Sequence, residues 1–290
     1  MEPEEKKPVH RGLKKGLYLI PTAFTAANIA MGFLAVLSSV RGFQLLSLNP
    51  EQAAIYFEYA AKGIALAIVF DMLDGRVARM TRTATEIGVQ LDSLADVLTF
   101  GIAPIVLIYS WAIGATFNEA NGLHNFGVFV LFMYLMCGSF RLARFNLQAI
   151  RPRVLIEGTP KIDKKNFVGL PIPPAAGLLA SIVYLHPRPL SVFTEDLANI
   201  YTISIIVLMG FLGLLMVSTL RYTSFKSTAS GRQSGYLILV IAALGMLVWL
   251  YSRYMLFAIA SAYVLHGIFW YFLSFFRTKK QKEIVVRNEA

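Results

Sequence analysis

The sequence predicts an all-α polytopic membrane protein with about eight transmembrane helices and both termini in the cytoplasm. The first observation is composition: 56% of the 290 residues are hydrophobic, 15% are charged and the mean hydropathy is +0.59. A soluble domain of this length is less apolar. The second observation is a series of apolar runs close to the roughly 20 residues that a spanning helix needs. The third is a one-sided distribution of lysine and arginine.

The apolar runs define the predicted spans. They cover residues 18–40, 55–79, 86–112, 124–147, 168–186, 197–220, 235–251 and 254–276. The first run follows a charged leader and is long enough to span, so we expect a retained helix and not a cleaved signal. The fifth run begins in Phe167–Pro174, where prolines suit a first helical turn. Only Tyr251–Arg253 separates the last two runs, which predicts a tight hairpin.

Positive charge orients these spans. Of the 27 lysines and arginines, all but Arg41, Lys62, Arg188 and Arg253 fall on one side of the predicted membrane. The positive-inside rule makes that side cytoplasmic. The net charge of +10 is therefore mainly a topology signal, and no nucleic-acid-binding module accompanies it. The single cysteine, Cys137, excludes an internal disulfide.

Four aspartates interrupt this apolar chain at helical spacing. Asp71 and Asp74 stand at i and i+3 in the second span, and Asp92 and Asp96 stand at i and i+4 in the third. The connection between the two spans is cytoplasmic by the charge rule, so two carboxylate faces can converge there. Because an ionised carboxylate at membrane depth costs about 2.5–3.5 kcal/mol, something cationic must offset the four.

Carboxylate oxygens are the ligands of Mg²⁺ or Mn²⁺ rather than of zinc, which favours histidine and cysteine. Two such ions, about 3.5–4 Å apart, would balance the four charges and clamp a phosphoryl group. Arg79 could neutralise phosphate oxygens, and the small residues Gly75, Ala78 and Gly88 allow helices and ligand to approach closely. The residues therefore indicate phosphoryl or phosphatidyl transfer.

The complete array resembles a known family signature. It reads Asp71-x2-Asp74-Gly75-x2-Ala78-Arg79-x8-Gly88-x3-Asp92-x3-Asp96, which is similar to the signature of the CDP-alcohol phosphotransferases at all eight fixed positions. Further segments are similar to the membrane-embedded branch of that family that uses serine. They are Leu91–Pro104, Arg141–Asn146, Phe167–Pro174 and Leu215–Tyr222. The resemblance covers residues 18 to about 226, and one departure is Thr22, where the family usually has asparagine.

The resemblance implies that the serine hydroxyl attacks the β-phosphorus of CDP-diacylglycerol, so that phosphatidylserine forms and CMP leaves. It implies that Asp71, Asp74 and Asp92 bind one metal ion, that Asp71, Asp92 and Asp96 bind the other, and that Asp96 is the general base. It also implies a CDP-diacylglycerol site. The residues expected there are Gly75, Ala78, Arg79 and Thr85, with Thr25 and Asn28 of the Pro21–Asn28 stretch nearby.

For the serine carboxylate, a guanidinium offers a bidentate match. We expect one or two of Arg141, Arg144 and Arg221 to bind it; the alternative is that these arginines anchor the helix ends at lipid phosphates. The aspartate array serves the CDP half of the reaction, so glycerol phosphate, inositol or inositol phosphate remain alternative acceptors, as does an archaeal ether-lipid version of the serine reaction.

Other readings of the aspartates are an ion network with Arg76, Arg79 and Arg82, a cation transporter, and a membrane protein without catalysis. A pure ion network does not require glycines beside its carboxylates. The predicted organisation is a basic leader, 1–17, a catalytic membrane domain, 18–226, a two-helix hairpin, 227–277, and a basic tail, 278–290. The family resemblance further implies a homodimer. The topology predicts a multi-pass protein of the cell (inner) membrane with its active site at the cytoplasmic face.

Overall fold

The computed structural model describes residues 11–81, 86–150, 166–218, 220–223, 251–267 and 269. Nine α-helices lie in these ranges. They are α1 Arg11–Leu45, α2 Pro50–Thr81, α3 Glu86–Asp96, α4 Ala103–Ile108, α5 Gly114–Thr116, α6 Gly122–Ile150, α7 Ile172–Leu185, α8 Glu195–Val217 and α9, residues 252–267. Two π-helical turns, Val97–Ile102 and Tyr109–Ile113, join α3, α4 and α5 into one helical segment, and a 3₁₀ turn, Leu190–Val192, precedes α8.

The protein is a multi-pass helical membrane protein, as predicted. Within the described ranges, five helical segments are long and apolar enough to cross a membrane. They are Ala23–Leu45, Pro50–Val77, Ile87–Thr116, Gly122–Asn146 and Glu195–Val217. These segments correspond to the predicted first, second, third, fourth and sixth spans. The predicted seventh span, 235–251, lies almost wholly outside the described residues, and the eighth, 254–276, is represented by α9 and residue 269.

A short strand ends at Val168, the first residue of the predicted fifth span. β1 (Asn166–Val168) pairs antiparallel with β2 (Arg221–Thr223), a departure from the all-helical prediction. Prolines at the start of α7 set its first turn, as predicted, but α7 has only 14 residues. At 1.5 Å per residue it is about 21 Å long, which is shorter than a hydrocarbon core of about 30 Å.

Gly169 makes the connection between β1 and α7 possible. Its φ is 83°, in the left-handed region, and a Cβ there would collide with the carbonyl oxygen of Met216. The Gly169 N–H donates to the carbonyl of Leu220 at 2.8 Å, and the Leu170 N–H donates to that of Leu215 at 3.0 Å. These bonds attach the start of α7 to the end of α8.

Residues that favour a helix start lie at the beginnings of α2 and α8. The Asn49 side-chain oxygen accepts the Gln52 N–H at 3.1 Å, and Pro50 occupies the first position of α2. Glu195 and Asp196 lie in the first turn of α8, where carboxylates interact favourably with the helix dipole. These features favour the observed helix starts, which precede the predicted beginnings of the spans at 55 and 197.

Helix α2 lies at the centre of the described part of the fold, between α1 and α7, while α8 packs against α6. The core includes fully buried side chains from several of these helices, such as Phe57 and Ile64 of α2, Leu179 of α7 and Met209 of α8. A Cβ on Gly63 of α2 would lie only 3.2 Å from the Met31 carbonyl oxygen of α1. This close approach brings the polar residues of α1 and α2 together near the aspartates.

Candidate active site

Three carboxylates converge between two consecutive helices. Asp71 lies in α2, and Asp92 and Asp96 lie one turn apart on one face of α3. One oxygen of each lies within 4.8 Å of an oxygen of the others. Asp71 and Asp92 are half-buried, and Asp96 is 9% exposed. The group is therefore compact enough for all three side chains to share a bound cation.

Asp74 is held by a different contact. It lies one turn beyond Asp71 in α2 and is buried, and its carboxylate accepts a hydrogen bond from the Thr25 hydroxyl of α1. It still lies close enough to Asp71 and Asp92 for their like charges to repel. Four acidic side chains thus occupy one region, three of them in mutual liganding distance.

Within the described part of the chain, no cation forms an ion pair with this cluster. Among the described residues, no lysine or arginine nitrogen lies within 4 Å of Asp71, Asp92 or Asp96, and one Asp96 carboxylate oxygen is buried without a hydrogen-bond partner. A buried carboxylate without compensation is strongly unfavourable. Because the donors are all hard oxygens, the cluster fits Mg²⁺ or Mn²⁺.

A π-helical turn shapes the wall next to Asp96. In this turn, the Thr99 hydroxyl donates to the Asn28 carbonyl of α1 at 3.3 Å. The Asn28 side chain is fully buried, and its amide has no hydrogen-bond partner in the described part of the chain. On the other side, the Tyr134 hydroxyl of α6 donates to the Phe100 carbonyl at 3.2 Å. π turns are frequent at functional sites, and this one attaches the aspartate helix to both neighbours.

Helix α6 supplies a cationic group to the site. Arg141 is 7% exposed and lies within electrostatic range of Asp96, and its Nε has no hydrogen-bond partner among the described residues. Arg144, one turn further along α6, is half-buried and close enough to repel Arg141. One of the three arginines predicted for the serine carboxylate is therefore a buried guanidinium near the carboxylates, and its role as a ligand stays a prediction.

Asn146 and Ser93 connect α6 to the aspartate helix. The Asn146 side-chain amide donates to the Ser93 hydroxyl at 2.8 Å, and that hydroxyl donates to the Val89 carbonyl at 2.9 Å. Sequence reasoning gave neither residue a role. The available signal was the position of Ser93, a polar residue between Asp92 and Asp96 on α3.

The remaining predicted site residues are less completely defined. Gly75 is half-buried beside Asp74, and Gly88 lies one turn before Asp92 and is exposed. Ala78 and Arg79 lie in the last turns of α2 and Arg221 lies in β2 opposite Val168, but their side chains are not among those described. Thr85 lies outside the described residues.

The sequence that carries these acidic side chains matches a known family. A model of the CDP-alcohol phosphatidyltransferases matches residues 18–212. The chain belongs to this family. As a CDP-alcohol phosphatidyltransferase it is an enzyme, which removes the transporter and the non-catalytic protein as readings of the aspartates. The matched region includes all four aspartates and Arg141 and ends before α9.

The sequence is also similar to individual proteins of known name. The chain is 32% identical to the CDP-diacylglycerol–serine O-phosphatidyltransferase of Helicobacter pylori over 258 residues, which cover 89% of this chain and 93% of that protein. It is 29% identical to the protein of the same name from Bacillus subtilis, over 73% of this chain and 93% of that protein. It is 34% identical to the archaetidylserine synthase of Methanothermobacter thermautotrophicus, over 70% of this chain and 69% of that protein.

Proposed function

We propose that the protein transfers the phosphatidyl group of CDP-diacylglycerol to the hydroxyl of L-serine, giving phosphatidylserine and CMP. The observation that carries the proposal is the cluster of Asp71, Asp92 and Asp96, whose oxygens approach within 4.8 Å in a member of a CDP-alcohol phosphatidyltransferase family. The names of similar proteins that align along most of the chain support serine as the acceptor.

On the donor side, Asp71, Asp74 and Asp92 would hold one divalent ion, and Asp71, Asp92 and Asp96 a second. Mg²⁺ or Mn²⁺ at these positions would offset the charge of the diphosphate and of the leaving CMP. The burial of Asp74 and Asp96, with no ion pair to a lysine or arginine among the described residues, supports this assignment. Thr25 keeps the Asp74 carboxylate in place through its hydrogen bond.

The cytidine diphosphate lies along α2 and the start of α3. Gly75 leaves room for the nucleotide against the α2 backbone, and Asn28 presents a buried amide that has no partner within the described residues. A buried polar group of this kind is expensive unless a ligand pairs with it. The full set of CDP contacts that we propose is Thr25, Asn28, Gly75, Ala78, Arg79 and Thr85, with Gly88 providing close helix contact.

On the acceptor side, Asp96 accepts the proton of the serine hydroxyl while that oxygen attacks the β-phosphorus. The bond from this phosphorus to the CMP oxygen breaks, so no covalent enzyme intermediate is required. The position of Asp96 supports its role as the base, because it is largely buried and one of its oxygens lacks a hydrogen-bond partner in the described region.

Arg141 is the strongest of the three candidates for the serine carboxylate. It is the most buried cation near the cluster, it faces Asp96, and its Nε is available for a bidentate contact as far as the described residues show. Arg144, half-buried one turn away, and Arg221, in β2, remain secondary candidates. This arrangement puts the acceptor hydroxyl beside its proposed base.

We further propose eight spans, cytoplasmic termini and a homodimer in the cell membrane, with the active site at the cytoplasmic face. Three of the four positive residues expected on the opposite face support this orientation. Lys62, Arg188 and Arg253 all lie at the end of the fold remote from the aspartates, paired with Glu51 or Glu58 of α2. The domain limits 1–17, 18–226, 227–277 and 278–290 are part of the same proposal.

An acceptor assay tests the proposed function. Purified enzyme in detergent micelles with CDP-diacylglycerol and Mg²⁺ or Mn²⁺ is offered serine, glycerol phosphate, inositol or inositol phosphate, and CMP and lipid products are measured. Among these four acceptors, we expect only serine to support CMP release, with phosphatidylserine as the lipid product. Turnover with glycerol phosphate but not with serine would contradict the proposal. The same assay with an ether-linked CDP-lipid determines whether the archaetidylserine reaction is preferred.

A further inference from the structure

The π-helical turn Val97–Ile102 begins directly after Asp96, the proposed base. The N–H of Ala103, just after the turn, donates to the Leu98 carbonyl five residues earlier, where an α-helix would use the carbonyl four residues earlier. The turn therefore contains one residue more than an α-helical turn. If it became α-helical, Asp96 would rotate by about 100° about the helix axis relative to the residues after the turn. The conformation of the turn thus decides the direction in which Asp96 faces.

Hydrogen bonds to two neighbouring helices hold this turn. The Tyr134 hydroxyl of α6 donates to the Phe100 carbonyl at 3.2 Å. The Thr99 hydroxyl donates to the Asn28 carbonyl of α1 at 3.3 Å. Because Tyr134 and Thr99 are fully buried, water cannot replace a lost partner, and breaking either bond is costly. A change of the turn would move Phe100 and Thr99 and break both bonds, which therefore stabilise the observed conformation.

Close packing encloses the turn between the same two helices. A Cβ on Gly32 of α1 would collide with the Thr99 hydroxyl oxygen. A Cβ on Gly101, within the turn, would lie 2.8 Å from a methyl carbon of Leu135 of α6, the neighbour of Tyr134. Both glycines permit an approach that a larger side chain would prevent. The two hydrogen bonds therefore act on a turn that has little space to move.

We propose that Tyr134 is a positioning residue, which keeps the π turn in the conformation that directs the Asp96 carboxylate toward Asp71 and Asp92. These three carboxylates have oxygens within 4.8 Å of one another, and Asp96 is the one that adjoins the turn. The inference rests on the proposed function, in which Asp96 binds a metal ion and accepts the serine proton. Tyr134 acts on the site through the turn, with Thr99 as the second anchor.

The affinity of purified Tyr134→Phe for Mn²⁺ tests this role without turnover. The change removes the hydroxyl and keeps the buried ring. Thermal unfolding midpoints are measured over a series of Mn²⁺ concentrations, each relative to the metal-free midpoint of the same variant. We expect the Kd for Mn²⁺ to rise about tenfold, which corresponds to about 1.4 kcal/mol and lies in the range for one buried hydrogen bond. At saturating Mn²⁺, kcat for CMP release should also fall about tenfold, because the base is still misplaced.

Tyr109→Phe is the matched control. Tyr109 lies in the second π turn of the same segment, about 20 Å further along it than Asp96, and its hydroxyl is hydrogen-bonded to His124 of α6 at 3.3 Å. This variant loses the same kind of contact with the same helix, so we expect the wild-type Kd for Mn²⁺ and the wild-type kcat. Thr99→Val removes the other hydroxyl that holds the first turn, and it should reproduce the effects of Tyr134→Phe.

The results separate a positioning role from a structural one. A lower metal-free midpoint in Tyr134→Phe, with the wild-type Kd for Mn²⁺ and the wild-type kcat, shows a purely structural role and overturns the inference. An equal rise of the Kd in Tyr134→Phe and Tyr109→Phe overturns it as well. In both cases the proposed function stands if the wild type turns over serine. If the wild type releases no CMP with serine, the proposed function is wrong, and the Mn²⁺ titrations alone decide whether Tyr134 positions Asp96.

Discussion

The charged side chains at the two ends of helix α2 differ in whether they form ion pairs. At its beginning, the Glu58 carboxylate pairs with Lys62 at 2.6 Å and with Arg253 at 2.8 Å, and Glu51 pairs with Arg188 at 3.1 Å. Near its end, Asp71 joins Asp92 and Asp96 in a cluster that lacks any such partner within the described residues. As far as the described residues show, carboxylates near the beginning of the helix form ion pairs with protein cations, and those near its end do not.

The charged groups at the two ends also differ in their exposure to solvent. The paired groups are accessible to solvent, with 44% of the Arg253 side chain and 50% of the Lys62 side chain exposed, so each pair contributes little to stability. Asp96, by contrast, is 9% exposed at the uncompensated end. Uncompensated buried carboxylates are costly, and intramembrane acidic residues mark functional sites. The contrast therefore separates charges that pair within the protein from the carboxylates that we propose to be catalytic.

The largest expected effect is at the catalytic end. Asp96→Asn removes the proposed base while preserving the shape of the side chain, so we expect kcat for CMP release to fall about 1,000-fold. Thermal unfolding of the purified variant controls for loss of structure. A variant that is folded and keeps more than a tenth of the wild-type kcat would show that Asp96 is not the base.

Metal binding should also be confined to the uncompensated end. A ligand at 100 times its Kd stabilises the folded state by about 2.7 kcal/mol, so Mn²⁺ at that excess should raise the thermal unfolding midpoint of the wild type. We expect Asp92→Asn to lose this rise and Glu58→Gln to keep it. EDTA should abolish CMP release, and added Mg²⁺ or Mn²⁺ should restore it. Equal stabilisation of wild type and Asp92→Asn would contradict the assignment of the cluster.

The smallest effect is expected at the compensated end. Glu58→Gln removes both ion pairs of this carboxylate, and because their cations are partly exposed we expect a loss of about 1 kcal/mol in unfolding free energy or less. The kcat for CMP release should remain within about twofold of the wild type. The measurement is thermal unfolding together with the CMP assay. A tenfold loss of kcat would show that the two ends are coupled, and the distinction between them would fail.

Local patterns in the sequence predict many of the helices and the spacing of the aspartates. The apolar runs predict the membrane-spanning helices, since a helix must satisfy its own backbone groups in a bilayer. The i, i+3 and i, i+4 spacings predict which aspartates share a helix face, and the prolines of Phe167–Pro174 predict the first turn of α7. All these features depend on residues within one or two helical turns of each other.

Contacts between distant residues were decided only by the tertiary structure. Thr25 binds Asp74 across 49 positions, and Asn146 binds Ser93 across 53. The pairing of β1 with β2 likewise joins residues more than 50 positions apart, just before α7 and after α8. Such contacts depend on how helices pack, which side-chain periodicity does not encode. The aspartate motif was therefore readable in the chain, whereas its supporting contacts required the folded arrangement of α1, α2, α3 and α6.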